Sequence, residues 1–177
     1  MTRRGILMMS QSINNVKKIA IVGHPGAGKS ELARRLSEQL KLPLYHLDLI
    51  WYKEDKTTRY KPEFDQIVTE LTEQPYWIID GNYQRTLETR VAAADMVILL
   101  DLPTDVCMEG VKSRIGTKRP DLPWVEDELD TEFEQYVLDF QTNKMPGIYS
   151  ILDKYHTEKQ ICVLNSRSEI DNFMKNL

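Results

Sequence analysis

The sequence predicts an α/β domain of three layers, in which helices cover both faces of a parallel sheet. Short aliphatic runs lack the polar alternation of half-exposed strands, and this is typical of strands buried on both faces. Amphipathic stretches separate the runs, and strands joined through helices pair in parallel with right-handed crossovers. The length of 177 residues fits one domain, and a hydrophobic share of 41% excludes a disordered chain.

The individual elements follow from apolar spacing. Aliphatic runs predict strands over residues 18–23, 44–48, 76–80, 96–101 and 161–164. Spacings of three and four predict helices over 29–41, from Pro62, around Leu87 and Val91, after Pro103, over 129–140, from Pro146 and over 169–177. Phe133 and Phe140 are expected to be core residues of one of these helices. Residues 50–60 are irregular, and 116–124 contain two prolines and are predicted to be a loop.

The chain ends, cysteines and charge bear on its location and partners. Residues 1–15 are predicted to be a disordered extension, and residues 16–177 the single domain. The apolar run in the extension is too short for a signal-peptide core, and nothing approaches a membrane span. Cys107 and Cys162 are interpreted as buried residues of a reduced protein, so we expect a cytoplasmic protein without a membrane partner. The net charge of -4 gives no reason to expect direct nucleic-acid binding.

The clearest motif follows the first predicted strand and opens the first predicted helix. It matches G-x-x-x-x-G-K-[ST], with Gly23, His24, Pro25, Gly26, Ala27, Gly28, Lys29 and Ser30. Its glycines let successive N–H groups point at phosphate oxygens. Lys29 is expected to reach the β- and γ-phosphates, and the Ser30 hydroxyl to ligate Mg²⁺. The strand before and the helix after the motif are the context that this function needs, so the sequence predicts binding of Mg-ATP.

Three predicted strands end in aspartate, namely Asp48, Asp80 and Asp101. The carboxyl ends of parallel strands face the ligand crevice, so all three side chains could lie near the phosphates. One carboxylate would hold the metal, and another would orient or deprotonate an acceptor. Aspartates at strand ends also commonly cap the next helix or turn. Spacing alone does not choose between Asp80 and Asp101 for the metal.

Arginines and aromatic residues supply the remaining candidates. Arginines neutralise the charge that spreads over a transferred phosphoryl group, and the candidates are Arg85, Arg90, Arg114 and Arg119. The alternative is that each is an ordinary surface arginine. Trp51, Tyr52 and Tyr60 are candidates to line a pocket for a planar or sugar-like acceptor, and packing elsewhere is the alternative.

Several segments carry a resemblance to known families. The phosphate-binding loop resembles that of adenylate-kinase-type enzymes, and residues 77–86 are similar to their "D-G-F-P-R-T" segment with one extra residue. Three segments together resemble the bacterial DNA topology modulation proteins more closely. They are residues 45–48 followed by Trp51, then residues 77–83, and then Arg90 with residues 94–101. The likeness runs from about Lys17 to the C-terminus.

The resemblance implies the strand order 2-3-1-4-5, Mg-ATP as ligand, an acceptor region over about 49–75 and a short lid over about 116–124. It favours Asp80 as the metal-side carboxylate and makes Asp48 a substrate contact or base. It places Arg85 at the acceptor, Arg114 on the nucleotide and Arg119 over the phosphates. Gly81 follows Asp80, so a substrate could approach its backbone closely, and Arg90 is a further candidate for substrate binding. Residues 49–60 show none of the usual AMP-site pattern, so the resemblance does not favour AMP as acceptor.

The sequence therefore predicts a P-loop kinase that transfers the γ-phosphate of Mg-ATP to a small acceptor, with a nucleotide or nucleoside as candidates. The alternative is a nucleotide-dependent regulator or NTPase that influences DNA topology. A monomer and a homodimer are equally compatible with the sequence.

Overall fold

The computed structural model describes residues 13–177. A single sheet contains β1 (Lys18–Gly23), β2 (Leu44–His46), β3 (Trp77–Asp80), β4 (Met96–Leu100) and β5 (Gln160–Leu164). Each pairing is parallel, and the strand order is β2-β3-β1-β4-β5. The predicted fold class and strand order are confirmed.

Eight α-helices connect and cover the strands within the described residues. They are α1 (Lys29–Leu40), α2 (Leu47–Trp51), α3 (Lys61–Glu73), α4 (Gln84–Ala93), α5 (Thr104–Ser113), α6 (Thr131–Asn143), α7 (Met145–Tyr155) and α8 (Arg167–Lys175). Pro62 and Pro146 stand in the first turns of α3 and α7, where a missing N–H costs nothing. Asp130 and Ser166 cap α6 and α8 through their side chains. None of the helices in this part of the chain is long and apolar enough to cross a membrane.

The two faces of the sheet bury separate cores. Ile19 and Ile21 of β1 pack on one face, in a cluster that includes residues of α1 and α8. Ala20 and Val22 point to the opposite face, where α3, α4 and α7 contribute. Successive side chains of a strand point to opposite faces of the sheet. Because helices bury both faces, every position of β1 after Lys18 is apolar or glycine. Three layers result.

Three differences from the prediction bear on the site or on the boundary of the domain. The second strand ends at His46, and Asp48 lies in the short helix α2 rather than at a strand end. Helix α8 begins at Arg167, two residues before the expected start. Of the predicted extension, residues 1–12 lie outside the described part, and Ile13–Asn15 form a 3-10 helix. Ile13 packs against the core, so ordered structure begins before the predicted boundary.

The carboxyl ends of the central strands meet at one edge of the sheet. Gly23 at the end of β1 pairs in register with Leu100 of β4, and Ile21 pairs with Asp80 of β3. His46 of β2 pairs with the same Asp80. The loops that follow these strands therefore surround a common crevice, as is usual for ligand sites of open α/β sheets.

Candidate active site

An open cavity of about 830 Å³ lies at this edge of the sheet. Its lining includes most of the residues predicted from the sequence, namely Pro25, Gly26, Gly28, Lys29, Ser30, Asp48, Trp51, Tyr52, Asp80, Gly81, Arg85, Arg114 and Arg119. Five candidates lie behind the lining instead, and they are Gly23, His24, Ala27, Arg90 and Asp101. Tyr60 is 74% exposed and also lies outside it.

The phosphate-binding loop, residues 23–30, is closely packed from behind. Gly26 and Gly28 have φ angles of +81° and +99°, which L side chains rarely adopt. A Cβ at Gly26 would lie 2.0 Å from the Cys107 carbonyl oxygen, so the loop is pressed against α5. Lys29 Nζ donates to the carbonyl oxygens of Gly23 and His24, at 3.0 Å each. This cradle at the start of α1 fits a chain of phosphates.

The charge of Lys29 is set by opposing effects. Burial lowers the pKa of its ammonium, and the negative charges of Asp80 and Asp48 oppose this. Burial is the larger effect, so the pKa of Lys29 lies below its ordinary value. Phosphate oxygens would supply further compensating charge.

His24 has a packing role that the sequence did not reveal. Its side chain is fully buried, Nδ1 lies 2.9 Å from the Pro25 carbonyl oxygen, and its ring centroid lies 5.0 Å from that of Phe140. Phe140 begins a row of rings along α6 that continues through Tyr136 and Phe133. Phe140 is a buried core residue, as expected, but all three rings also line the cavity. The row ends where the Arg114 guanidinium lies 5.7 Å from the Phe133 centroid.

Asp80 and Asp101 have different surroundings. Asp80 lines the cavity, and its Oδ2 lies 2.6 Å from Nδ1 of His46, its neighbour across the strands. Burial lowers the pKa of His46, but the hydrogen bond and charge of Asp80 outweigh this and raise it. Asp101 accepts hydrogen bonds from Gln141 at 3.0 Å and Tyr149 at 2.6 Å, and it ties α6 and α7 to the sheet. Asp80 is therefore the better placed of the two for a metal.

Asp48 faces the cavity from α2. Its Oδ1 accepts a hydrogen bond of 2.7 Å from the Tyr83 hydroxyl. Burial raises the pKa of the carboxyl, the Tyr83 hydrogen bond lowers it, and the charge of Asp80 raises it again, so that the net direction is upward. Asp48 is thus a carboxylate whose basicity exceeds that of a solvated aspartate.

Arg90 corrects one prediction. It was a candidate for acceptor binding, but it is fully buried and lies outside the lining. Its guanidinium donates to the carbonyl oxygens of Gly81 at 2.8 Å, Asn82 at 2.6 Å and Tyr83 at 3.2 Å. Burial lowers its pKa to about 10, against the effect of Asp80. Arg90 therefore holds the loop between β3 and α4, where Tyr83 has a φ of +25°.

Arg114 and Arg119 line the cavity from the segment between α5 and α6. Arg119 pairs with Asp121 at 3.3 Å and Glu126 at 3.0 Å. Burial and the charge of Arg119 lower the pKa of Arg114. The Trp124 ring lies 5.2 Å from the Tyr52 ring, edge to face, so this segment contacts the region that follows α2. The function of residues 116–124 as a lid stays a prediction.

Arg85 of α4 and Trp51 at the end of α2 both line the cavity. The exposed Arg85 forms an ion pair with Asp65 of α3. The Trp51 ring packs edge to face on Phe64, with the centroids 5.3 Å apart, and lies 5.8 Å from the Tyr83 ring. Trp51 therefore combines the two interpretations of the sequence, because it packs on other rings and also lines the cavity.

Sequence reasoning missed Arg167. Its guanidinium donates to the carbonyl oxygens of Ala27 at 2.6 Å and Gly26 at 2.9 Å, from the first turn of α8. The capping pattern Ser166 to Glu169 marks this helix start in the sequence, and the Glu169 N–H donates to the Ser166 hydroxyl at 3.2 Å. That signal would have placed Arg167 at a helix start, but not against a loop 140 positions away.

Comparisons with known proteins agree with this geometry. No family model matches the chain. A shikimate kinase from Legionella pneumophila (strain Corby) is 27% identical over 122 residues, which cover 62% of this chain and 70% of that protein. A shikimate kinase from Acinetobacter baumannii, solved in complex with shikimate, superposes with a TM-score of 0.60 at 16% identity and covers 94% of this chain and 93% of its own.

A gluconokinase from Sinorhizobium meliloti 1021 has a TM-score of 0.56 at 13% identity, over 90% of this chain and 88% of its own. The solved structures share the fold of the chain. Together with the sequence relative they support the prediction of a P-loop phosphotransferase, and they do not identify its acceptor. The resemblance to the DNA topology modulation proteins stays a prediction from the sequence.

Proposed function

We propose that the chain is a kinase that transfers the γ-phosphate of Mg-ATP to a hydroxyl group of a small acceptor. The observation that carries the proposal is that a phosphate-binding loop and a carboxylate line the same cavity. The phosphate-binding loop presents Lys29 and Ser30, and Asp48 faces the same space. A phosphate cradle and a carboxylate of raised pKa are what transfer to a hydroxyl requires.

Each group has a role in the transfer. The acceptor oxygen attacks the γ-phosphorus, the bond from this phosphorus to the β–γ bridging oxygen breaks, and ADP leaves. Asp48 takes the proton of the acceptor hydroxyl. Lys29 and Arg114 offset the charge on the phosphates. Arg119 would add a third positive charge if it left its ion pairs with Asp121 and Glu126. Ser30 and Asp80 supply the hard oxygen atoms that suit Mg²⁺, which when bound neutralises charge on the phosphates.

The alternative from the sequence, a nucleotide-dependent regulator or NTPase that influences DNA topology, uses the same loop. It would hydrolyse ATP without an acceptor or bind it without turnover. The cytoplasmic location and the choice between monomer and homodimer stay predictions in either case.

The test is an ADP-release screen with Mg-ATP against nucleosides, nucleotides, sugars and hydroxy acids. We expect one class of acceptor to stimulate ADP release. Lys29→Ala should lower the stimulated rate by about a thousandfold, because it removes the ammonium group that would contact the transferred phosphoryl group. Lys175→Ala, which removes an exposed lysine of α8, is the matched control and should leave the rate unchanged. Release that ignores every acceptor would contradict the kinase proposal and favour the NTPase.

A further inference from the structure

Two of the arginines that line the cavity, Arg85 and Arg119, are already paired with carboxylates. We define the acceptor half as the part of the cavity lined by Asp48, Trp51, Tyr52, Phe64, Tyr83 and Arg85. Arg85 is paired with Asp65 of α3, through both its Nη2 and, at 3.4 Å, its Nε. Arg119 at the edge of this half is paired with Asp121 and Glu126. An anionic acceptor that used Arg85 or Arg119 would have to displace a carboxylate. Arg114, which has no ion pair among the described residues, is assigned above to the phosphates of ATP.

Two exposed lysines of the cavity change this balance little. Lys61 and Lys118 line it and are exposed. A hydrated ammonium on a flexible stem binds an anion only weakly compared with a fixed guanidinium. These lysines raise the local concentration of anions without fixing one in place.

Asp48 requires a donor from the acceptor. Its Oδ1 receives the Tyr83 hydroxyl at 2.7 Å, and a carboxylate has further lone pairs to offer. A hydroxyl group satisfies such an oxygen, whereas a phosphate or carboxylate would add a like charge. Asp80 and Asp121 already contribute negative charge around Asp48. The electrostatics of the acceptor half therefore favour an uncharged, hydroxyl-bearing molecule.

Aromatic surfaces form two walls of the cavity. Trp51 and Tyr52 stand on the side of α2, and the row of Phe133, Tyr136 and Phe140 stands on α6. Faces and edges of this kind pack on a planar ring more favourably than on a saturated one. A flat ring joined to a hydroxyl-bearing group would use both the aromatic walls and Asp48.

We propose that the acceptor is an uncharged compound of the nucleoside class, a planar ring carrying a hydroxyl-bearing sugar, and that the Asp65–Arg85 pair selects against its anionic counterparts. This inference rests on the proposed kinase function. Arg85 is thereby a specificity residue, because its ion pair with Asp65 of α3 makes its charge unavailable to the acceptor.

The experiment measures binding rather than turnover. Nucleosides and their own 5′-monophosphates are titrated by calorimetry into the protein saturated with a non-hydrolysable Mg-ATP analogue, beside shikimate and gluconate as anionic hydroxyl compounds without an aromatic ring. We expect at least one nucleoside to bind at least about tenfold more tightly than its monophosphate and than either acid. Tighter binding of the monophosphates or of the acids, or no nucleoside binding at millimolar concentration, would overturn the inference.

A pair of variants tests the selecting residue. Asp65→Asn releases Arg85 and should improve the affinity for the monophosphate by up to about fivefold, the scale of an exposed ion pair. Glu63→Gln is the matched control, because it removes a carboxylate of the same helix that pairs with Arg59 at 2.9 Å outside the cavity. An unchanged ratio of affinities in Asp65→Asn would contradict the role of the pair. A nucleoside that binds but does not stimulate ADP release would instead contradict the kinase proposal and leave the binding class intact.

Discussion

The key side chains of the phosphate-binding loop and of the acceptor half differ in how far along the chain their partners lie. Lys29 bonds to Gly23 and His24, which are six and five positions away. In the acceptor half, Tyr83 bonds to Asp48 across 35 positions and Arg85 pairs with Asp65 across 20. The short motif therefore contains the partners of Lys29, although Arg167 also supports the loop from 140 positions away. The acceptor half depends on pairs of side chains that one substitution can separate, and this is where we expect specificity to vary.

The largest effect is expected in the acceptor half, from Asp48→Asn. The variant keeps the oxygen that accepts the Tyr83 hydroxyl but cannot take a proton, so kcat should fall by about 10²- to 10⁴-fold. Steady-state kinetics with the acceptor identified by the screen measure this. A loss in ATP affinity without a loss in kcat would contradict the assignment of Asp48 as base.

The same residue predicts a pH dependence. The groups that face Asp48 are Tyr83, Asp80, Lys29 and Asp121, and the pKa of its carboxyl is raised, with burial as the largest cause. As pH falls through that pKa, Asp48 gains a proton, and kcat/KM should decline on an acid limb above the ordinary range of aspartate, about pH 4. Asp48→Asn should lack this limb. Because ionised Asp48 destabilises the fold, the variant should also have a higher melting temperature at pH 7, and the gain should shrink as pH falls.

The conformation of the loop between β3 and α4 is expected to depend on Arg90. Arg90→Met leaves the carbonyl oxygens of Gly81, Asn82 and Tyr83 without this donor, and we expect the free energy of unfolding to fall by about 2–4 kcal/mol. Urea denaturation measures the loss. Arg35→Met removes a half-buried arginine that pairs with Asp171 at 3.3 Å, and it should cost no more than about 0.5 kcal/mol. Equal losses in the two variants would show that Arg90 is not a scaffold of the loop.

Sequence reasoning succeeded where chemistry is local. The motif over residues 23–30 identified the loop, and aliphatic runs located all five strands. Asp80 and Asp101 could not be separated, because both follow apolar strands. Only the packed structure shows that Gln141 and Tyr149 donate hydrogen bonds to the Asp101 carboxylate, while Asp80 lines the cavity.

The rest depended on register and on helix placement. His46 contacts Asp80 because the two residues are partners across β2 and β3. The sequence of one strand alone does not predict its register with another. The sequence predicts Asp48 at a strand end because the apolar run continues through Leu47, but helix α2 begins directly after His46. Arg90 resembled a ligand arginine in sequence, and its burial follows from the packing of α4 against the sheet.

The smallest effect is expected at the phosphate-binding loop, from Arg167→Ala. Arg167 lines the cavity, and its guanidinium donates to the carbonyl oxygens of Ala27 and Gly26. We assign it no contact with the reacting groups, so its loss should loosen the loop equally before and during transfer. We expect the KM for ATP to rise about fivefold with kcat within twofold. Arg167→Lys, which can reach one carbonyl but not form the two-pronged contact, should lie between the two. A fall in kcat at unchanged KM would mean that Arg167 acts in the transfer itself, and a lower melting temperature with unchanged kinetics would mean that it only secures α8.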